Sequence, residues 1–426
     1  MRQGKPMEEA VKRPFSFCLM GVLSLLLAFS VPGMVRGQIP NQERQPRPIP
    51  LGVSGGNIND QTSEFCCGGT LGALVSFQGQ LYILSNNHVL ARTNLATLGE
   101  GISQPGLIDE TPACQVNPGD VVATLGGFLP IDFTSQNTMD VAGALIIPGD
   151  VDPSGSILGI GPPSSQTVAP SIGMRVKKSG RTTGVTHGVI RAINVTVNVG
   201  YPTECGSQTI QTAQFVNQMM IIGRPIFIPF SKAGDSGALI VEDVGTCPRP
   251  VGLLFAGGMF VTLANPLDLL AQSGASFVGC ESPSSAPSNI GESAVNEQEL
   301  RVVKAVQERH TEALMRIPGV VGVGIGRVAG TGRAVIEVYL EKAAPELEQA
   351  LPQALEGILV KKVVTGKIMA LGCPASSQGA ALAGGSEVEE REIAAAKAVQ
   401  ERHTEALMRI PGVVGTGIGW DEEIGR

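Results

Sequence analysis

The punctuation of residues 51–280 constrains the fold more than any other feature of the chain. Short runs rich in valine, isoleucine and threonine, at 71–77, 80–85, 120–125, 141–147, 189–199, 219–228, 238–242 and 251–255, are broken by glycine, proline, asparagine and aspartate. Branched side chains favour a pleated backbone, and the breakers supply turns. No long segment between them holds a helical period. Composition agrees, with 55 glycines, 29 prolines and only 16% charged residues. The expectation is an all-β body of about 230 residues, large for one sandwich and natural for a double β-barrel.

The flanks have different compositions. Arg2, Lys5, Lys12 and Arg13 precede an apolar run at 15–31, and Val35 and Gly37 before Gln38 suit a signal-peptidase cut. Residues 1–37 are therefore expected to be a signal peptide cleaved near Gly37. An uncleaved anchor is the alternative, since the run is only about long enough to span a bilayer. Cys18 lacks the small residue that precedes a lipidated cysteine. The formal net charge is −7, with no basic patch to suggest nucleic acid. The expectation is a secreted or periplasmic protein, soluble and with no stable membrane insertion after cleavage. Residues 38–50, rich in proline and glutamine, read as a flexible lead-in.

Seven cysteines follow the signal, and Cys66, Cys67, Cys114, Cys205, Cys247 and Cys280 lie in the β-rich body. They fit up to three disulfides of unspecified pairing in an oxidising compartment. The odd Cys373 is either free or intermolecular. No CxxC pair or cysteine–histidine cluster has zinc spacing, so neither metal nor cofactor is expected.

After the body come a linker at 281–293, an α-β-β-α-β module at 294–371, a second linker at 372–392, and a partial repeat of the module at 393–426. In the module, the spacing predicts a helix over 294–317 ended by Pro318-Gly319. Strands are predicted at 320–325 and 334–340, a helix at 345–355 and a strand at 358–364. Residues 304–326 and 397–419 differ only at Val323 and Thr416. The second copy ends before its sheet is complete, which suggests a recent partial duplication rather than a solenoid.

Three stretches carry chemistry. Ser236 lies within Gly234-Asp235-Ser236-Gly237, whose glycines permit a sharp turn and close backbone approach to a carbonyl. Alone, this is equally an ordinary turn. His88 ends the buried-looking run Tyr82-Ile83-Leu84-Ser85-Asn86-Asn87-His88, where it is held and can still reach a cleft. His310 and His403 sit on a polar helix face and read as solvated, and His187 lies in a glycine-rich turn. Asp140 directly precedes an apolar strand. A buried acid needs a partner, and either a histidine N–H or local backbone would serve. Asp109, Asp120, Asp132 and Asp150 lie in turns and read as exposed.

In the order His88, Asp140, Ser236, the chain resembles a chymotrypsin-fold (trypsin-like) serine peptidase of bacterial type over residues 51–280. The resemblance rests on Ser85-Asn86-Asn87-His88-Val89, Met139-Asp140-Val141-Ala142, Gly234-Asp235-Ser236-Gly237 and Ser179-Gly180-Arg181-Thr182-Thr183-Gly184. The last is similar to the α-lytic protease and streptogrisin group. His88-Val89-Leu90 and Thr262-Leu263-Ala264-Asn265-Pro266-Leu267 also resemble the trypsin-like domain of NARROW LEAF 1-type proteins, as does the Pro318-Gly319-Val320-Val321-Gly322 module start.

The resemblance implies a serine endopeptidase acting on a peptide or protein. Ser236 is the implied nucleophile, His88 the base and Asp140 its orienting acid, with the N–H groups of Gly234 and Ser236 as oxyanion hole. It further implies that Asp235 is buried against a cation, for which Arg181 stands at the matching position. Arg181 is equally readable as a surface hairpin charge. Phe230, at the implied pocket floor, with Phe255, Ala256 and Gly257 on the substrate-pairing strand, implies a small or apolar residue before the cut. Ala238-Leu239 after the serine turn, and the lack of a cysteine after His88, depart from the family pattern without touching the three residues. The C-terminal module resembles the pro-domains of this group but lies at the wrong end. An inhibitory contact with the peptidase domain is one expectation and a targeting role another. The rival to an enzyme is a catalytically silent scaffold acting through its cleft or its repeats.

Overall fold

The computed structural model describes residues 40–372, apart from 227, 268, 269, 271, 282–295, 329 and 330. The signal peptide, nearly all of the 281–293 linker, Cys373, most of the second linker and the partial repeat lie outside the described residues.

In chain order the strands run β1 (Val53–Asn57), β2 (Gly69–Leu71), β3 (Ala73–Phe77), β4 (Gln80–Ser85), a one-turn helix α1 (Asn87–Leu90), β5 (Gly101–Ser103), β6 (Val121–Phe128), β7 (Gln136–Asn137) and β8 (Ala142–Ile146). They continue with β9 (Arg175–Gly180), β10 (Gly184–Pro202), β11 (Ile210–Gly223), β12 (Leu239–Glu242), β13 (Pro250–Gly258), β14 (Val261–Pro266) and β15 (Ser276–Phe277), β7 pairing with β11 and β15 with β3. The chain is thus the expected mostly-β fold of two curled sheets. An 8-stranded sheet has the order β15-β3-β4-β8-β6-β5-β1-β2. In the other sheet, β10-β9-β12-β13-β14-β11 close into a ring because β11 also pairs β10. Each interior is apolar, with Leu51, Leu74, Ile83 and Ile102 fully buried in one and Val197, Phe215 and Phe255 in the other.

The C-terminal module adds α2 (Glu297–Met315), β16 (Val320–Arg327), β17 (Ala334–Leu340), α3 (Pro345–Ala350), β18 (Ala354–Leu355), β19 (Ile358–Val364) and β20 (Met369–Ala370). It is the expected small α+β part. Asn296 caps α2 by accepting from the Gln298 N–H, and Val303, Val306 and Leu314 turn its apolar stripe onto the sheet. Helix α3 is shorter than its periodicity predicts because Pro352 follows; the residue before a proline disfavours the helical region, and the chain leaves the helix there. The module is not a separate body hung on a linker. Its strand β16 pairs antiparallel with β10, Ile325 opposite Ile193 and Val323 opposite Thr196, so the barrel sheet continues into the module.

Three disulfides join Cys66 to Cys114, Cys67 to Cys205 and Cys247 to Cys280. From Pro40 onward the lead-in is seated rather than flexible. Ile49 is buried, Asn41 donates to the Gly52 carbonyl and the Ser179 hydroxyl, and Arg44 pairs with Glu110 and Asp120. Among the described residues, no helix is long and apolar enough to cross a membrane.

Candidate active site

Strand pairing brings His88 and Asp140 together. β4 and β8 run antiparallel with Ser85 opposite Ala142, so the residues just past β4 face those just before β8. Asn86 begins helix α1 and donates its side-chain amide to the Asp140 carbonyl at 2.7 Å. The turn holds His88 with Nδ1 2.5 Å from Asp140 Oδ2, while the His88 N–H reaches Oδ1 at 3.3 Å. Asp140 is fully buried, and the Tyr201 hydroxyl donates to Oδ2 at 2.9 Å. Burial first, and the Asp140 charge second, push the Tyr201 hydroxyl well above its usual pKa, so it remains a donor. Asn265 donates to the Asp140 carbonyl and accepts from its N–H, clamping the backbone on the other side.

Ser236 sits on the turn between β11 and β12. Gly234 and Gly237 take φ of +96° and +92°, which side chains rarely adopt. The turn is pinned to both barrels. Thr70 of β2 donates its N–H to the Ser236 carbonyl and its hydroxyl to the Gly234 carbonyl, and the Gly237 N–H reaches Leu254 of β13. The serine turn therefore bridges the two sheets, bonded to β2 of one and to β13 of the other. The Ser236 hydroxyl donates to the Phe255 carbonyl at 2.9 Å. His88 Nε2 is buried and has no hydrogen-bond partner among the described residues.

Asp235 is fully buried, but its cation is not Arg181. The 180–183 backbone wraps the carboxylate, with the Thr182 and Thr183 N–H groups on Oδ1 at 2.9 and 3.1 Å. The Thr183 hydroxyl and the Lys232 N–H reach Oδ2 at 2.7 and 2.9 Å, and Lys178 Nζ lies 3.4 Å away. Once the backbone curls this way, the Arg181 side chain is directed elsewhere. It makes two bonds to Asp109, at 2.5 and 2.7 Å, and is buried rather than a surface charge. Asp109 and Asp120, read from sequence as exposed, are both buried in ion pairs. Burial pulls the Lys178 ammonium below its usual pKa, and Asp235 opposes that shift.

Phe230 is buried beneath Gly188 of β10, and Phe255, Ala256 and Gly257 lie along β13. The free face of that strand is occupied. β20 lies antiparallel to it with Ala370 opposite Ala256 and Met369 opposite Gly257. The Leu371 N–H donates to the Phe255 carbonyl at 3.0 Å, and the Gly234 N–H donates to the Leu371 carbonyl at 2.5 Å. Sequence reasoning missed Lys178, Tyr201, Asn265 and Leu371. Asn265 lies within the stretch 262–267 and Lys178 directly before the motif at 179–184, but neither position marks which group its side chain meets. Asp60 lies close to Cys67 and Cys205, but those two are joined as a disulfide and offer no thiolate for a metal.

Residues 113–264 match the Nal1 C-terminal domain family. No curated protein is significantly similar to the chain. Among solved structures, a glutamic acid specific serine protease shares 20% identity, covering 54% of this chain and 100% of its own, at a TM-score of 0.36. Thermobifida fusca protease A shares 17% identity over 55% of this chain and 99% of its own, at 0.35. Nocardiopsis protease shares 16% over 54% and 98%, also at 0.35.

Proposed function

We propose that the chain is an exported serine endopeptidase that cleaves peptide bonds through an acyl-enzyme. The observation that carries this is that the buried His88–Asp140 pair and the glycine-flanked Ser236 turn meet one peptide segment: Gly372 lies against His88, and the Gly234 N–H already binds the Leu371 carbonyl. In the reaction, the Ser236 hydroxyl turns from the Phe255 carbonyl to His88 Nε2 and gives up its proton as it attacks. His88 returns that proton to the leaving amine, and water then cleaves the ester by the same steps in reverse. Asp140 fixes the histidine tautomer through Nδ1–H and stabilises the imidazolium. The Gly234 N–H, with that of Ser236, receives the oxyanion; one such donor typically contributes about 3 kcal/mol. Phe230 and the β13 residues Phe255, Ala256 and Gly257 would bind the substrate, favouring a small or apolar residue before the cut. Three disulfides support export to an oxidising compartment.

One observation favours a silent scaffold instead: the serine hydroxyl bonds to Phe255 and not to His88. Intact mass after treatment with a fluorophosphonate separates the two. A single adduct, mapped to Ser236 and missing from Ser236→Ala, is expected of the enzyme. A folded chain whose open cleft never takes the reagent is the scaffold.

A further inference from the structure

The segment that fills the cleft is placed as a substrate, not merely as a plug. A peptide awaiting attack needs four things: a strand along β13, an N–H returned to that strand, a carbonyl in the oxyanion hole, and its leaving nitrogen beside the base. Residues 369–372 supply the first three directly and bring Gly372, which carries the leaving nitrogen, against His88. Met369 and Ala370 pair antiparallel with Gly257 and Ala256. The Leu371 N–H bonds the Phe255 carbonyl, and its carbonyl oxygen accepts from the Gly234 N–H. The Leu371 side chain packs with the cluster that contains Phe230, Ala238 and Ile240 and crosses the face of Gly257. Gly372 then passes His88 so closely that a Cβ there would stand 2.9 Å from Nε2. The polarity is that of a productive substrate, with the acyl side on β13 and the amino side at the base.

The approach is anchored well upstream. The Met259 N–H holds the Thr365 carbonyl at 2.8 Å, and the Gly200 N–H holds the Ile368 carbonyl at 2.9 Å. The module's own strands thus deliver the segment into the cleft, which makes the encounter intramolecular.

We infer that the Leu371–Gly372 bond is one that this protein cuts in itself, an inference that rests on the serine-peptidase reading above. Ser236 Oγ bonds to the Leu371 carbonyl carbon, and its proton passes to His88. The Leu371–Gly372 C–N bond breaks, and that proton goes to the Gly372 nitrogen, leaving a Leu371 ester on Ser236. One water then donates hydroxyl to Leu371 and hydrogen to Ser236 by way of His88, giving a Leu371 carboxylate. The products are a chain ending at Leu371 and a fragment of residues 372–426 that carries the partial repeat. The same placement gives the external substrate class as peptides with leucine or a similar apolar residue before the cut.

The test is intact mass of the purified full chain over time at neutral pH, at two concentrations about tenfold apart. Wild type is expected to lose residues 372–426 at a rate independent of concentration, and Ser236→Ala to stay whole. Leu371→Met should be cut at a rate close to wild type, and Leu371→Asp about a hundredfold more slowly, because it buries a charge in an apolar pocket. Near-ultraviolet circular dichroism checks that Leu371→Asp is folded, and fluorophosphonate is added to that variant, whose cleft is no longer held shut. If Leu371→Asp is labelled on Ser236 while wild type stays whole, or is cut only elsewhere, the inference is wrong and the peptidase reading stands. If cleavage speeds up with concentration, the cut is made by a second copy and the intramolecular step is wrong. If neither protein is labelled nor cut, the peptidase reading fails and takes the inference with it.

Discussion

Lys178 and Asp235 form a fully buried ion pair directly beneath the serine turn. Two charges taken from water cost several kcal/mol each, and the pair persists because every acceptor site on the carboxylate is also filled by an N–H or hydroxyl. Lys178 further donates to the Thr183 hydroxyl and to the Gly184 carbonyl. Replacing it with methionine keeps the volume but strips the cation from Asp235. Lys178→Met is expected to lower stability by about 3 kcal/mol, read as a fall in the urea midpoint at unchanged slope. An unchanged midpoint would mean that the surrounding N–H groups alone carry the carboxylate. That Asp235 is buried against a cation was implied by the resemblance. Which cation it takes was not legible, because the answer depends on how the 180–183 backbone curls. The resemblance pointed to Arg181, and only the three-dimensional path sends Arg181 to Asp109. Tyr201 was still less visible. It lies 61 residues from Asp140 and meets it only because β10 passes behind the histidine.

Among elements, the junction of β10 and β16 decides how the module sits. The run Gly322-Val323-Gly324-Ile325-Gly326 alternates glycine with branched residues. Its branched side chains enter the module core beside Val303 and Leu314 of α2. The glycines face the other way, where they leave room for Tyr339 and Glu337 of β17. A Cβ on Gly324 would stand 2.7 Å from the Tyr339 hydroxyl oxygen and 2.8 Å from Val195 of β10. Glu337, fully buried, is held there by Arg191 at 3.1 Å. Gly324→Val should therefore force Tyr339 and β10 apart, costing roughly 2 kcal/mol as overpacking does. Amide exchange should report it as faster exchange along β10 and β16, with the first barrel unchanged; equal protection in the variant would show that the junction yields without cost. Most strand and helix types of the module were legible from period, but Ala354–Leu355, inside the expected second helix, pair as β18 with β19. The pairing of β16 with β10 was not, because an exposed strand edge carries no sequence mark of which edge it will meet.

At the scale of the molecule, long-range ties join two barrels and a module into one body. Six cysteines in the β-rich body announced disulfides, but six allow fifteen pairings, and only the fold selects among them. Cys67–Cys205, at a separation of 138 residues, fastens the loop before β2 to the tip of the β10–β11 hairpin and so spans both sheets. The lead-in makes a second tie that composition concealed, since its prolines and glutamines read as flexible. Arg44 bridges Glu110 and Asp120, one cation for two acids, at 2.9 and 2.6 Å. Burial, with Asp120 beside it, raises the Glu110 carboxyl from 4.5 to about 6. A folded-state pKa above the unfolded one means that the native chain binds the extra proton between about pH 4.5 and 6. This group's contribution is thus full below pH 4.5 and is lost as pH rises through 6. Glu110→Gln keeps the shape and discards the charge, so it should gain stability relative to wild type as pH rises from 5 to 7. The amplitude is about 1 kcal/mol, because nearby solvent screens the acids. Urea midpoints of both proteins at pH 5 and pH 7 measure it: the gap should open in favour of the variant at pH 7. A gap that stays constant would show that Arg44 neutralises both acids throughout, and that the clasp of the lead-in is independent of pH.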